Sequence, residues 1–343
     1  MKTEAVVIER YGGPEVLTRT KVEVPPPGPD EVLLRVLAVA VNHLDADLRA
    51  GVSRMPLRLP HVLGREVVGV VEEIGSRVAD RSPGDRVVVL PNTPCGTCPR
   101  CLGGRANLCP LADMPGITRW GGYACHTLAP ARGLLDLGDL DPVLAAATPI
   151  SFGTAWRTLY SIGRLAPGEW VLAPGAAGGL GHAVVQLARL GGARVVGLVG
   201  DPAKAEFVRS LGAEAVLSTR DRDWPVQARE ITGGAGFDVI VEHIGGDVFE
   251  AALGTLASTG RLVVAGGHAG EHPHLDVIDT FRNEYELRGS RSQRPDEIAR
   301  VLGLVATGQV SPRVDSVLPL ADAAGAHWAM ADRRVLGKMV ITP

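Results

Sequence analysis

The chain has 343 residues, of which 45% are hydrophobic and 21% charged, the balance of a folded globular protein and not of a disordered one. Thirty-five basic against 38 acidic residues leave a formal charge of −3, so there is no basic excess to bind a phosphate backbone and nucleic acid is not an expected partner. No apolar run reaches the 18 or so residues of a membrane span, and MKTEAVVIER lacks a signal-peptide core, so a cytoplasmic protein is expected.

Residues 1–90 read as β-rich. The runs AVVIE, EVLLRVLAVAVN and VVGVVEE have strand length and β-branched content, and GGPE, PPPGPDE and SPGDR punctuate them. With aromatics at 4%, the core must be built mainly from Val, Leu, Ala and Ile.

Residues 91–125 read as a loop rich in Gly, Pro and Cys. Cys95-x2-Cys98-x2-Cys101-x7-Cys109 places four soft ligands in one segment, the donor set of a closed tetrahedral zinc site with no open position for substrate. One structural zinc per chain is the expected occupant; free thiols or an iron–sulfur cluster are the alternatives. Cys125 stands apart and reads as a small buried hydrophobe.

Near residue 150 strands and helices begin to alternate. WVLAP (170–174) is a short apolar strand. It runs into Gly175-Ala176-Ala177-Gly178-Gly179-Leu180-Gly181, after which Ala183, Val184, Leu187 and Leu190 recur at helical spacing. A strand, a glycine turn and a helix are what close approach to a pyrophosphate requires, with the phosphate charge at the helix N-terminus. A tight turn with no ligand is the plainer alternative. ARVVGLV (193–199) follows as a strand, then the helix AKAEFVRSLG (203–212). Selection of NAD calls for an acid at the end of that strand. Val199 or Gly200 stands there instead, Asp201 comes one or two residues late, and Lys204 and Arg220 are within reach. NADP(H) is therefore favoured over NAD(H), unless a rotated Asp201 reaches the ribose. EAVLS, FDVIVEHI (237–244), GRLVVAGG (260–267) and YELRGS (285–290) supply further strands, and DVFEAALGTLAS reads as a helix between two of them. His243 and Gly266 lie at strand ends where a cofactor would pass. His268, His272 and His274 form a histidine-rich stretch without ligand spacing. Continuous apolar strands alternating with helices mean a parallel sheet covered on both faces.

After one more helix, PDEIARVLGLVATG, the tail VDSVLPL…GKMVIT returns to the texture of the first region. The expectation is an α/β protein in which a doubly wound parallel-sheet domain (152–291) is inserted into a β-rich domain (1–151 and 292–343) carrying the cysteine lobe at 91–112.

GGPEVL (12–17), Val41-Asn42-x-x-Asp45, His61-x-x-Gly64-x-Glu66-x-x-Gly69-x-Val71, PGDRV (83–87), the four cysteines, GGYA (121–124), TAW (154–156), the glycine turn and LGKMV (336–340) together resemble the medium-chain dehydrogenase/reductase superfamily. That resemblance implies a GroES-like catalytic domain, an inserted Rossmann domain with an active-site cleft between the two, hydride transfer at a nicotinamide, and a homodimer or homotetramer formed partly through the Rossmann sheet.

The departures matter most. In the family's zinc alcohol dehydrogenases a Cys, a His and a second Cys hold a catalytic zinc. The matching positions here are Asn42, Arg65 and about Ile150, so the resemblance implies no catalytic zinc. Arg65 is expected to occupy the vacated region, pair with Asp45 or Glu66, and oppose negative charge on a substrate oxygen. Asn42 and Thr154 match positions near the nicotinamide, His43 matches a neighbourhood that contacts phosphate or relays protons, and Lys338 matches a position that approaches the cofactor. The expected activity is NAD(P)H-dependent reduction of an activated C=C bond or a quinone on a small molecule. An alcohol or aldehyde dehydrogenase is the alternative, and a non-catalytic dinucleotide-binding protein the third reading.

Overall fold

The computed structural model describes all 343 residues. They fall into two compact units, Met1–Ile150 with Ser292–Pro343, and Ser151–Arg291. No helix is long and apolar enough to cross a membrane.

The first unit opens with β1 (Lys2–Ile8), β2 (Thr18–Glu23), β3 (Glu31–Ala40), β4 (His61–Val62), β5 (Glu66–Ile74), β6 (Arg86–Val89), β7 (His126–Pro130) and β8 (Leu134–Asp136). β1 pairs with β2 and β4 in a small antiparallel sheet. The core between the sheets is mostly Val, Leu, Ala and Ile, as the low aromatic content requires; Tyr123 is its large exception, fully buried. The helix His43–Ala50 starts directly after β3 and stops at Gly51.

The second unit carries six strands: β9 (Trp170–Pro174), β10 (Arg194–Val199), β11 (Ala215–Ser218), β12 (Phe237–Glu242), β13 (Leu256–Val264) and β14 (Glu286–Gly289). All pair in parallel, in the order β11-β10-β9-β12-β13-β14. This is the doubly wound order, and it reverses between β9 and β12, where such sheets bind their ligands. The sequence reading put a helix over DVFEAALGTLAS. The helix is Gly246–Leu253, and β13 begins already at Leu256, because Leu256 pairs with Phe237 of β12 and is buried there.

The tail adds β15 (Val314–Pro319) and β16 (Lys338–Thr342) to the first unit, giving the sheet β15-β16-β3-β5-β6-β8, with β7 also on β3. Ala40 of β3 pairs on one side with Glu66 of β5 and on the other with Val340 of β16. Three strand ends distant in sequence thus converge, and Asn42, Glu66 and Lys338 stand on them.

Candidate active site and metal lobe

Glu66 is fully buried at the first position of β5. A buried carboxylate must be paired and hydrogen-bonded. Here Oε2 accepts from Lys338 Nζ at 2.7 Å and from Asn42 Nδ2 at 3.0 Å, while Oε1 accepts from the Ile150 backbone N–H at 2.6 Å. Lys338 is itself 3% exposed, and its ammonium also donates to Asn42 Oδ1 at 2.7 Å. Both ends of the Asn42 amide are therefore engaged, which sets its orientation. Asp45, at the first turn of the helix that follows, accepts from the Asn42 N–H at 2.9 Å and from the Gly64 N–H at 3.3 Å. Burial pushes Asp45 up to about 6, against those two backbone donors and the charges of Arg65 and Lys338.

Arg65 departs from expectation. It does not pair with Asp45 or Glu66: its Nη2 donates to Pro91 O at 2.9 Å and to Asn92 Oδ1 at 3.2 Å. Glu66 is held instead by Lys338, Asn42 and the Ile150 amide, and Asp45 by two backbone amides. The two carboxylates act on Arg65 only through space, and burial, the larger effect, holds its pKa below the ordinary arginine value. Lys338 lies in this same cluster. The Lys338–Glu66 pair was not read from the sequence; the two residues are 272 positions apart and meet only because β16 and β5 flank β3. His43 is exposed at the start of its helix. Thr154 belongs to the second unit, half-buried in the helix Ser151–Trp156, which continues as a π-helical turn over Arg157–Ile162.

Behind the Gly64 turn lies a buried chain that the sequence reading missed. Tyr123 Oη is 3.1 Å from His327 Nε2, and Arg49 Nη1 is 3.1 Å from His327 Nδ1. Arginine can only donate, so Nδ1 accepts and the ring proton sits on Nε2. Burial, with Arg49 adding to it, lowers His327 to about 3.

The second unit presents the glycine turn at the C-terminal end of β9. Gly175 takes φ +62°, and a Cβ on Gly181 would lie 2.2 Å from Gly175 O, so the helix Gly179–Leu190 can start this close to the turn only with glycine there. Gly178 caps that helix with no side chain across its first N–H groups. Ala177 is buried in the turn, while Gly179 and Leu180 form the first helical positions. The imidazole of His243, after β12, comes within 3.0 Å of where a Gly175 Cβ would be, and Gly266, after β13, lies against the His243 backbone. The turn thus meets the requirements for a dinucleotide pyrophosphate: open backbone donors at a helix N-terminus, at the switch point of the sheet. At the end of β10, Asp201 accepts from Ala203 N–H at 3.2 Å and lies 3.4 Å from Arg220 Nη1. A Cβ on Gly200 would meet no atom nearer than 4.0 Å, and Lys204 is half-buried beside it.

The four cysteine sulfurs all lie within 4.8 Å of one another. Cys98–Cys101, Cys98–Cys109 and Cys95–Cys101 are separated by 3.5, 3.8 and 3.9 Å. A tetrahedral zinc with Zn–S bonds of about 2.3 Å requires edges of about 3.8 Å. The Cys98 N–H points to Cys95 Sγ at 3.3 Å and the Cys95 N–H to Cys109 Sγ at 3.4 Å, which favours thiolate sulfur. The donor set fits a structural zinc.

The comparisons agree with this architecture. Residues 28–139 match the family described as alcohol dehydrogenase GroES-like domain, and residues 179–307 match zinc-binding dehydrogenase. The chain belongs to the medium-chain dehydrogenase/reductase superfamily. It is 33% identical to a 2-haloacrylate reductase of Burkholderia sp., over 99% of this chain and 98% of that protein. It is 29% identical to a quinone oxidoreductase of Sus scrofa, over 98% and 97%. Among solved structures it is similar to an NAD-dependent alcohol dehydrogenase, with 39% identity, a TM-score of 0.94 and 99% of both chains covered. The β-rich unit is thus the GroES-like domain and the parallel-sheet unit the Rossmann-like domain of a family of NAD(P)-dependent oxidoreductases acting on small molecules.

Proposed function

We propose that this protein reduces an activated carbon–carbon double bond, or a quinone, with NAD(P)H and without a catalytic metal. The observation that carries this reading is the closed cluster at Asn42, Glu66 and Lys338. Asn42, Arg65 and Ile150 offer no thiolate, imidazole or carboxylate, and the Glu66 carboxylate beside them is engaged by an ammonium and two N–H donors. These residues do not fit a tetrahedral catalytic zinc. The names of the haloacrylate and quinone relatives support the same class of acceptor.

A reduced nicotinamide dinucleotide, its pyrophosphate held at the glycine turn, would supply the hydride. When hydride reaches the β-carbon of a conjugated acceptor, the C=C π pair shifts toward the carbonyl, whose oxygen gains negative charge, and the α-carbon then takes a proton from water. Arg65 is the cation that answers that charge. Asp45 fixes the backbone at Asn42 and Gly64, and the oriented Asn42 amide borders the same region. Thr154, His243 and Gly266 are assigned to the cofactor. NADP(H) is favoured because Gly200 leaves space where an acid would hold a ribose diol, with Lys204 and Arg220 beside it; the Arg220–Asp201 contact works against that preference. A dimer is favoured by the unpaired outer edge of β14 and by the exposed Val277, Ile278 and Phe281 on the neighbouring helix.

The test is NADPH and NADH oxidation against a panel of enones, quinones and unsaturated acids, beside NAD(P)+ reduction with alcohols. Reduction of conjugated acceptors supports the reading. The alcohol dehydrogenase reading is favoured by the 39% identical solved structure, and turnover of alcohols alone would establish it instead.

A further inference from the structure

We infer that Arg65 anchors an anionic group of the substrate, and that the acceptor is an α,β-unsaturated carboxylate. The inference rests on the ene-reductase reading and narrows its substrate class. Arg65 is 7% exposed, yet no carboxylate makes an ion pair with it. Its only hydrogen bonds run from Nη2 to two neutral oxygens, those of Pro91 and Asn92. The buried Nε has no partner. Asp45 and Glu66 reach the guanidinium only through space, so it keeps unfilled donors with which an arriving anion can pair directly. Neither carboxylate hydrogen-bonds the guanidinium: Glu66 is held by Lys338, Asn42 and the Ile150 amide, and Asp45 by two backbone amides. The side chain is held in place before any ligand binds: Nη2 is tethered at its far end, and the Gly116 turn leaves just enough room at its Cγ, where a Cβ on residue 116 would come within 3.3 Å.

The chemistry of the proposed reaction favours a carboxylate over other anions. Hydride addition to the β-carbon of an unsaturated acid places further negative charge on the carboxylate oxygens. A guanidinium bound to that group in the ground state therefore holds it more strongly in the transition state. The planar donor fork of arginine suits the group, and lysine would not replace it fully.

The matched probes are 2-chloroacrylate and its methyl ester, which differ mainly in charge. The native enzyme should turn over the acid with the higher kcat/KM. Arg65→Gln should lower kcat/KM for the acid by about 100-fold or more and for the ester by less than about fivefold. Arg65→Lys, which keeps the charge, should lose about tenfold on the acid alone and serves if the glutamine variant does not fold. A second readout needs no turnover: calorimetric binding of 2-chloropropionate in the presence of NADP+, expected for the native protein and abolished in Arg65→Gln. Equal losses on acid and ester, or equal binding of the saturated acid by both proteins, would overturn the anion anchor. Arg65-dependent binding of the acid without NADPH oxidation on either substrate would leave the anchor standing and remove the ene-reductase reading.

Discussion

Lys338 and Glu66 show what a motif conveys and what it omits. Asn42, Asp45, Arg65 and Glu66 lie close together in the chain, and their spacing marks them as one region. Lys338 sits in a separate motif, and its partner becomes visible only once β16 has been laid beside β3. Lys338→Met should leave the Glu66 charge buried and unpaired, at a cost of about 3–5 kcal/mol in stability, while Lys338→Arg should recover part of it; denaturant unfolding measures both. His327 makes a second test at this scale. Burial, with Arg49 adding to it, pushes its pKa down from the ordinary 6.5 to about 3. Its neutral form therefore contributes stability that is complete above pH 6.5 and is lost as pH falls toward 3. Between pH 6.5 and 5 the loss is about 1.5–2 kcal/mol. Asp45, raised from 3.8 to about 6, acts in the opposite sense: its stability is present below pH 3.8 and is lost as pH rises through 6. Comparison of native protein with His327→Gln across this window isolates the histidine. The native protein should lose more stability than the variant, and parallel melting curves would refute the assignment.

Elements were more legible than side-chain partners. Apolar runs and glycine punctuation placed every strand of the second unit, and their parallel pairing followed from their alternation with helices. The misplacement at residues 256–258 has a physical cause, since LAS carries no local signal for strand and adopts it through pairing with β12. The π-helical turn at Arg157–Ile162 also has no sequence signature of its own. Gly181→Ala tests the glycine turn: the methyl group must displace Gly175 O, so NADPH affinity should fall by about tenfold or more in a fluorescence titration, with the fold retained. The cysteine lobe was legible from spacing alone, because four ligands in one loop need no long-range contact to meet. Cys109→Ser should release zinc and lower the melting temperature, since metal binding to such a loop is coupled to its folding. Metal analysis and thermal melting on the same sample check this.

At the scale of the molecule, an inserted domain was readable from the change of texture near residue 150 and its reversal after 290. The cofactor turn lies in one unit and the Asn42–Glu66–Lys338 cluster with Arg65 in the other. The expected cation–carboxylate pairing at Arg65 failed because the sequence does not reveal how many donors compete for each buried carboxylate. The dimer expectation belongs here too: light scattering should give twice the 36.0 kDa chain mass or a multiple of it, and Phe281→Glu should shift the protein toward monomer. The most direct test of the central claim is zinc content measured alongside reductase turnover on one preparation of pure enzyme. The account predicts about one zinc per chain, bound by the four cysteines, with turnover unaffected by supplying more. Two zinc ions per chain, with activity rising and falling with the second, would contradict it.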